Sequence, residues 1–291
     1  MNNVAIVFAL GAAVSWASTQ VFSKAGLQRM DLIHFASIRP LFALLFIVPY
    51  GFLTGGFSNP GLVFIGIAVL AGIMDAFLGS MLYLYAVKKS SAHESASLAN
   101  TAPFWGVVTA VLFLGEEPRL IVFIAAFLVV LGAYFLVTRR GEAAIDHSFR
   151  DTLPALGAGV LWGVAETVPA KYCLSQGMSP ISYQLVMVIT AGISWNILAV
   201  VRGKSIFTIR YPWRDLGIAL FTGFTGFFLG WILWLTGLEL APASLLAPVR
   251  GSMTLFAFLL SMLILRERPT IRSAVGVAFT FSGVFLVSVI G

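Results

Sequence analysis

Apolar runs of about 18–25 residues follow one another along the chain, each long enough to cross about 30 Å of hydrocarbon as a helix. Short polar breaks separate them. The pattern predicts ten membrane-spanning helices, over residues 3–23, 33–53, 61–86, 95–114, 120–138, 152–172, 180–201, 214–237, 243–265 and 272–290. The breaks carry turn residues, as in TGGFSNPG, GEEPR and RERPT. The longest polar stretch, RRGEAAIDHSFRD, ends at Asp151 in the middle of the chain. The predicted fold class is an all-α integral membrane protein.

The two sides of that joint resemble each other. A shift of 151 residues brings GEEP (115–118) onto RERP (266–269). The same shift brings Gly72, Phe77, Leu78 and Gly79 onto Gly223, Phe228, Leu229 and Gly230, and Gly132 onto Gly283. A shift of 146 brings GAAVSW (11–16) onto GAGVLW (157–162). The organisation predicted is a first five-helix repeat over 1–140, a connecting loop over 141–151 and a second repeat over 152–291. Five spans are an odd number, so the second repeat enters the membrane from the opposite side. Inverted repeats of this kind hold a substrate between the halves near the bilayer midplane in many secondary transporters.

Composition agrees. Hydrophobic residues make up 59% of the 291 residues and charged residues 10%, and mean hydropathy is +0.96. That much apolar surface exceeds what one soluble core can hide. The net charge of +6 would suggest nucleic acid in a soluble protein, but here the basic residues fall in short loops as membrane anchors. Fourteen lysines and arginines lie in the odd-numbered loops, against Arg119 and Lys171 on the other face. This bias places the odd-numbered loops in the cytoplasm and both termini outside. No cleavable signal peptide is expected. Single Cys173 excludes an internal disulfide, and His34, His93 and His147 have no ligand spacing, so neither metal nor cofactor is expected.

Ionisable groups at membrane depth are costly and persist where they meet a partner, a wet cavity or a substrate. Arg39, Asp75, Glu166 and Arg250 are such groups. Asp75 lies close to the midplane of the third span and is a protonation or substrate-amine candidate. Glu166 lies one turn after Trp162, and Gln20 one turn after Trp16, so these mirrored pairs should flank a central cavity. Arg39, beside Pro40, is shallow enough to snorkel. Arg250 stands in LLAPVRGSMTLFAF, between Pro248 and Gly251, which predicts a broken helix. The mirrored stretch of span four is polar too, with Ser97, Asn100, Thr101 and Pro103. Arg250 should hold a substrate carboxylate, or Asp75 or Glu166 when empty. Asp75 and Glu166 are also the proton-coupling candidates.

Several of these features in order are similar to the drug/metabolite transporter superfamily, and within it to the ten-span EamA-type carriers. They are Trp16 and Trp162 in the first span of each half, followed by Lys24 and Lys171, then Arg39 early in span two. The corner PFWGVVTAVLFLGEEP, with Pro103 thirteen residues before Glu116, and the pair Gly132 and Gly283 complete the set. The second corner departs: Glu267 is kept, but Thr254 stands where the family has proline. The resemblance implies a proton- or exchange-coupled secondary carrier of small polar metabolites, such as exported amino acids. It also implies a multi-pass protein of the plasma (inner) membrane with termini inside, against the charge count. A small-molecule substrate and the bilayer are the expected partners, with a proton or counter-substrate for coupling. A monomer or weak dimer is expected. The alternatives are a multidrug exporter of lipophilic cations, which two buried arginines disfavour, a channel, or a non-transport membrane protein. Enzyme motifs such as His-Glu-x-x-His and Gly-x-Ser-x-Gly are absent from the sequence.

Overall fold

The computed structural model describes residues 2–59, 61–89, 98–137, 149–204, 210–265 and 270–290. The described residues are helical throughout, with no strand. Helix α1 covers Asn2–Leu27 and α2 covers Leu32–Thr54. Helices α3 (Leu62–Gly72) and α4 (Ser80–Lys89) flank a π-helical segment over Ile73–Gly79 and form one rod. Helices α5 (Ala102–Leu114) and α6 (Leu120–Val137) follow. The second half begins with α7 (Phe149–Ser175) and α8 (Pro180–Val201). A second rod joins α9 (Trp213–Gly223), a π segment over Phe224–Leu229 and α10 (Gly230–Leu240). Helices α11 (Ala243–Arg250), α12 (Met253–Leu265) and α13 (Ile271–Ile290) complete it. Eight helices are long and apolar enough to cross a membrane, while Ala102–Leu114 and Leu120–Leu136 are shorter apolar helices.

Packing partners come from opposite halves. Helix α1 packs on α10 and α12, while α7 packs on α4 and α5. Helix α2 packs on α8, and α6 packs on α13. The last contact is close because glycines meet there. A side chain at Gly132 would strike Thr280 and the Gly276 backbone, and one at Gly283 would strike the Ala125 carbonyl and Val129. Such small-residue crossings let van der Waals contact drive association where lipid removes the hydrophobic incentive.

The π segments set the interface. Widening a helix by one residue per turn leaves carbonyls without their usual partners, and in hydrocarbon these need donors. Four side chains donate across the interface between the halves, and a fifth donates from within its own half. Trp162 Nε1 donates to the Asp75 carbonyl at 3.0 Å, and Trp195 Nε1 to the Ala76 carbonyl at 2.8 Å. In the second rod Trp16 Nε1 donates to the Gly226 carbonyl at 3.0 Å, and Ser15 Oγ to the Thr225 carbonyl at 2.7 Å. Gln184 Nε2 donates to the Phe227 and Phe228 carbonyls, both at 2.7 Å. A shift of 151 carries Asp75 onto Gly226, so each repeat's first-span tryptophan caps the same carbonyl of the other repeat's π segment. Gly79 and Gly230 make room: a Cβ on either would collide with the indole of Trp162 or Trp16.

Two sets of contacts close the ends. At one end, Lys204 Nζ reaches Asp31 Oδ2 at 2.5 Å and Arg29 reaches Asp215 at 3.4 Å, tying the first loop to the end of α8 and to the start of α9. At the other, Glu116 accepts the backbone N–H groups of Ala243 and Ser244, both at 2.8 Å, capping α11. Lys171 Nζ donates to the Leu238 and Ala241 carbonyls there. Lys171 and Glu116, read from sequence as a membrane anchor and a repeat marker, are thus clasps on the turn between α10 and α11.

Two outcomes follow for stability. Gln184→Leu strands two carbonyls in an apolar interior and should lower unfolding stability in detergent by about 1–3 kcal/mol, read by thermal melting. The Asp31 carboxyl, pushed up by burial, is pulled further down by the Lys204 ammonium and the Ile33 and His34 N–H groups, and lies below the ordinary range. Its contribution is therefore fully present above the unfolded value near pH 4 and lost as pH falls through the lower folded value. Asp31→Asn should melt lower than wild type at pH 7, by no more than about 1 kcal/mol given partial exposure, and the gap should close in acid.

Candidate functional site

The site is built where the chain breaks between α11 and α12. Pro248 has no N–H to continue the ladder, and the chain tightens into three-residue bonds: Gly251 N to the Pro248 carbonyl at 3.1 Å and Ser252 N to the Val249 carbonyl at 3.0 Å. Helix resumes at Met253. Gly251 is required by close approach, since a side chain there would strike Val129 and Pro103. The break expected from the sequence is therefore present. It has a counterpart in span four, where Thr101 N bonds the Leu98 carbonyl at 3.2 Å and Thr101 Oγ1 the same oxygen at 2.7 Å. Ser252 Oγ makes the matching bond to the Val249 carbonyl at 2.7 Å. The shift of 151 carries Leu98, Asn100 and Thr101 onto Val249, Gly251 and Ser252, so both breaks fall in one register.

Arg250, at the end of α11, is buried with 6% exposure. Its Nη2 lies 2.5 Å from Glu166 Oε1 on α7, and Glu166 is also 6% exposed. The guanidinium sits over the Trp16 ring at 5.6 Å. Trp16 in turn packs against Trp231 and Trp234, at centroid distances of 5.8 and 6.1 Å. Trp234 Nε1 donates to the Glu166 backbone carbonyl at 2.7 Å, which fixes the turn of α7 that carries the carboxylate. Asp75, in the first π segment and 8% exposed, lies within electrostatic reach of both Glu166 and Arg250. Two carboxylates and one guanidinium therefore share one buried region. Arg250 Nε has no hydrogen-bond partner, so its donors are not exhausted by Glu166.

The sequence candidates divide on this geometry. Arg250, Glu166, Asp75 and Trp16 come together. Asn100 is buried at the fourth-span break and Thr101 is partly exposed beside it, its hydroxyl accepting Trp105 Nε1 at 3.1 Å. Trp162 is held by the Asp75 carbonyl and leans on Tyr83 at 5.6 Å, where it supports the π segment. Gln20 is exposed, so it does not reproduce at Trp16 what Glu166 does near Trp162; the partner that Arg250 finds on α1 is Trp16 itself. Arg39 is not a snorkelling side chain: its Cζ lies over the rings of Phe35 and Phe227 at 5.1 and 5.2 Å, and its Nε is buried. Ser97 lies outside the described residues.

Sequence reasoning missed Gln184 and Tyr183. Both are fully buried on α8, and Gln184 Oε1 and the Tyr183 hydroxyl lack hydrogen-bond partners. A glutamine in the second turn of an apolar span was the available signal. Among the described residues no group of His, Cys, Asp and Glu could hold a metal ion.

The EamA-like transporter family matches residues 3–138 and again residues 152–289, once for each half. An uncharacterized transporter of Bacillus subtilis (strain 168), YvbV, is 28% identical over 148 residues, which are 48% of this chain. Those residues span 46% of YvbV, about half its length. A solved structure described only as "Crystal structure of protein" has the same fold, with a TM-score of 0.82 over 98% of this chain and 96% of its own, at 16% identity. With one copy of the pattern on each side of the central joint, the chain belongs to the EamA-like transporter family.

Proposed function

We propose that this protein is a secondary carrier of small metabolites bearing a carboxylate, either amino-acid-like or organic anions, and that it works by alternating access between two inverted five-span repeats in the plasma membrane. The observation that carries the reading is the buried Arg250–Glu166 pair at 2.5 Å beside Asp75. A guanidinium binds a carboxylate in a planar, two-bonded geometry. A substrate carboxylate can therefore take the place of Glu166 on Arg250. Glu166 and Asp75 would then be two buried carboxylates with one cation already engaged, an arrangement that favours proton uptake by one of them. Binding of substrate and binding of a proton are linked in this way. For a zwitterion, the substrate ammonium would take the place of that proton beside Asp75. The exchange of packing partners between halves and the paired breaks of spans four and nine support the inverted repeat.

Counterflow in proteoliposomes against amino acids, organic acids, sugars and cationic dyes, with and without a pH gradient, tests this. Carboxylate-bearing substrates should be transported, and Arg250→Gln should reduce transport by about a hundredfold or more, the loss of a charge-assisted buried contact. Transport of cations without carboxylates would instead mark a multidrug exporter. Removing one partner of the pair leaves the other charge buried and uncompensated. Glu166→Gln alone should therefore destabilise the protein by about 3–5 kcal/mol, and the double variant Glu166→Gln/Arg250→Gln should melt higher than Glu166→Gln.

A further inference from the structure

Arg39, two turns inside α2, is an arginine whose charge the packing leaves unanswered. Arg250 has Glu166. Arg39 has no acidic partner within ion-pair distance among the described residues, and its guanidinium makes no hydrogen bond to them. Rings of Phe35 and Phe227 lie against it. Cation–π contact lowers the cost of placing the charge there, but rings accept none of the five N–H bonds a guanidinium offers in its own plane. Nε is sealed, while the residue as a whole is partly exposed, so the terminal Nη edge is what remains open. Gly226 makes room for that edge. A Cβ there would lie 3.2 Å from Arg39 Nη2 and 3.2 Å from Thr19 Oγ1. Thr19 and Thr225 hydroxyls meet at 2.8 Å beside it.

Position matters as much as chemistry. Arg39 lies seven residues into α2, about 10 Å from the end where Asp31 and Lys204 meet. Arg250 lies seven residues into α11, about 10 Å from the opposite end, where Glu116 caps the helix. Trp16 joins them: Arg250 sits over its ring, and its Nε1 is bonded to the Gly226 carbonyl beside Arg39. Two guanidiniums are thus connected through Trp16 and Gly226, one held by a carboxylate and one free. The loops on the Arg39 side hold fourteen of the chain's lysines and arginines, which draw anions toward that end.

We infer that Arg39 is a second anion site, a loading station where a small ligand's carboxylate docks on the Nη edge before it passes Trp16 to Arg250. This rests on the carrier reading for its role in transport, but not for the binding itself. The carboxylate that docks at Arg39 displaces no protein acid, so this station fills without breaking an ion pair, unlike the Arg250 station.

The binding is tested on the wild-type, detergent-solubilised full chain. p-Hydroxyphenylglyoxal modifies arginines that are open and unpaired, and peptide mass spectrometry reads each position. Arg39 should be modified, and acetate or glutamate should slow the modification about fivefold or more relative to chloride at equal ionic strength, as expected of near-saturating occupancy. Arg39 left unmodified while exposed Arg202 reacts, or modified at a rate no carboxylate changes, overturns the site. Transport supplies the second reading. Arg39→Gln should raise the half-saturating substrate concentration about tenfold with the maximal rate kept within about twofold, and Arg39→Lys should recover part of that loss. An unchanged half-saturating concentration in Arg39→Gln overturns the loading role. Protection of Arg39 by carboxylates in a protein that carries only cations would sink the carrier reading and leave the anion site standing.

Discussion

Inside hydrocarbon, a carbonyl without a donor costs several kcal/mol, and the structure is organised around meeting that demand where its helices depart from α geometry. Two rods widen into π turns, and two spans break at matched positions. Each departure frees backbone oxygens at membrane depth. Three indoles and the Ser15 hydroxyl reach across from the opposite half to bond them, and the Gln184 amide bonds two more from within the second half. Neither half satisfies its own π segment with its first-span tryptophan. The two repeats are therefore interlocked by backbone need rather than by apolar area, which lipid would satisfy equally well. An interface made of a few directed bonds also fits a carrier, since such bonds can exchange without a large loss of buried surface.

Much of the fold was legible because membrane helices announce themselves by length and composition. The eight long helices fall on expected spans, and the family match divides at the same central joint as the internal repeat. The fourth span was the poorest fit. It was read as one run from residue 95, but the described helix Ala102–Leu114 starts after a tight turn at Thr101, whose hydroxyl folds back on the Leu98 carbonyl. The π segments left no mark that composition or periodicity could find: one inserted residue per turn leaves an apolar run as apolar as before. Their glycines did show, as matched pairs in the repeat, but their purpose became visible only with the indoles packed over Gly79 and Gly230.

The site was legible in kind and not in pairing. A charged group in oil marks itself, so Arg39, Asp75, Glu166 and Arg250 stood out by cost alone. Which acid Arg250 holds depends on the rotation of α7 against α11 at the break, and no spacing within either helix fixes that. Glu166 wins because Trp234 bonds the carbonyl of that same residue and sets the turn. Gln20 misled for the converse reason. Its place in the repeat matches Glu166, but its position on α1 leaves it exposed, and Trp16 one turn earlier fills the space.

The scaffold is symmetric and the charges are not. Repeat shifts carry Glu166 onto Gln20, Asp75 onto Gly226 and Arg250 onto Ala99. The π-segment glycines place Arg39 opposite Met187 in the same way: Gly223 would strike the Arg39 backbone, and Gly72 the Met187 backbone. Each of these four ionisable groups therefore stands where the other half has a neutral residue. Two halves that differed nowhere would present the same surface to a ligand in either orientation, and a ligand with one carboxylate would have no preferred place between them. Placing one guanidinium with its acid partner toward one end, and another without an acid toward the other, makes the two ends of the interior electrostatically different while the helices around them match. In transporters built from inverted repeats, matched halves exchange between two related shapes. Here the glycines and tryptophans that pack the helices keep the repeat, and the ionisable residues depart from it, so packing and charge are set by different positions.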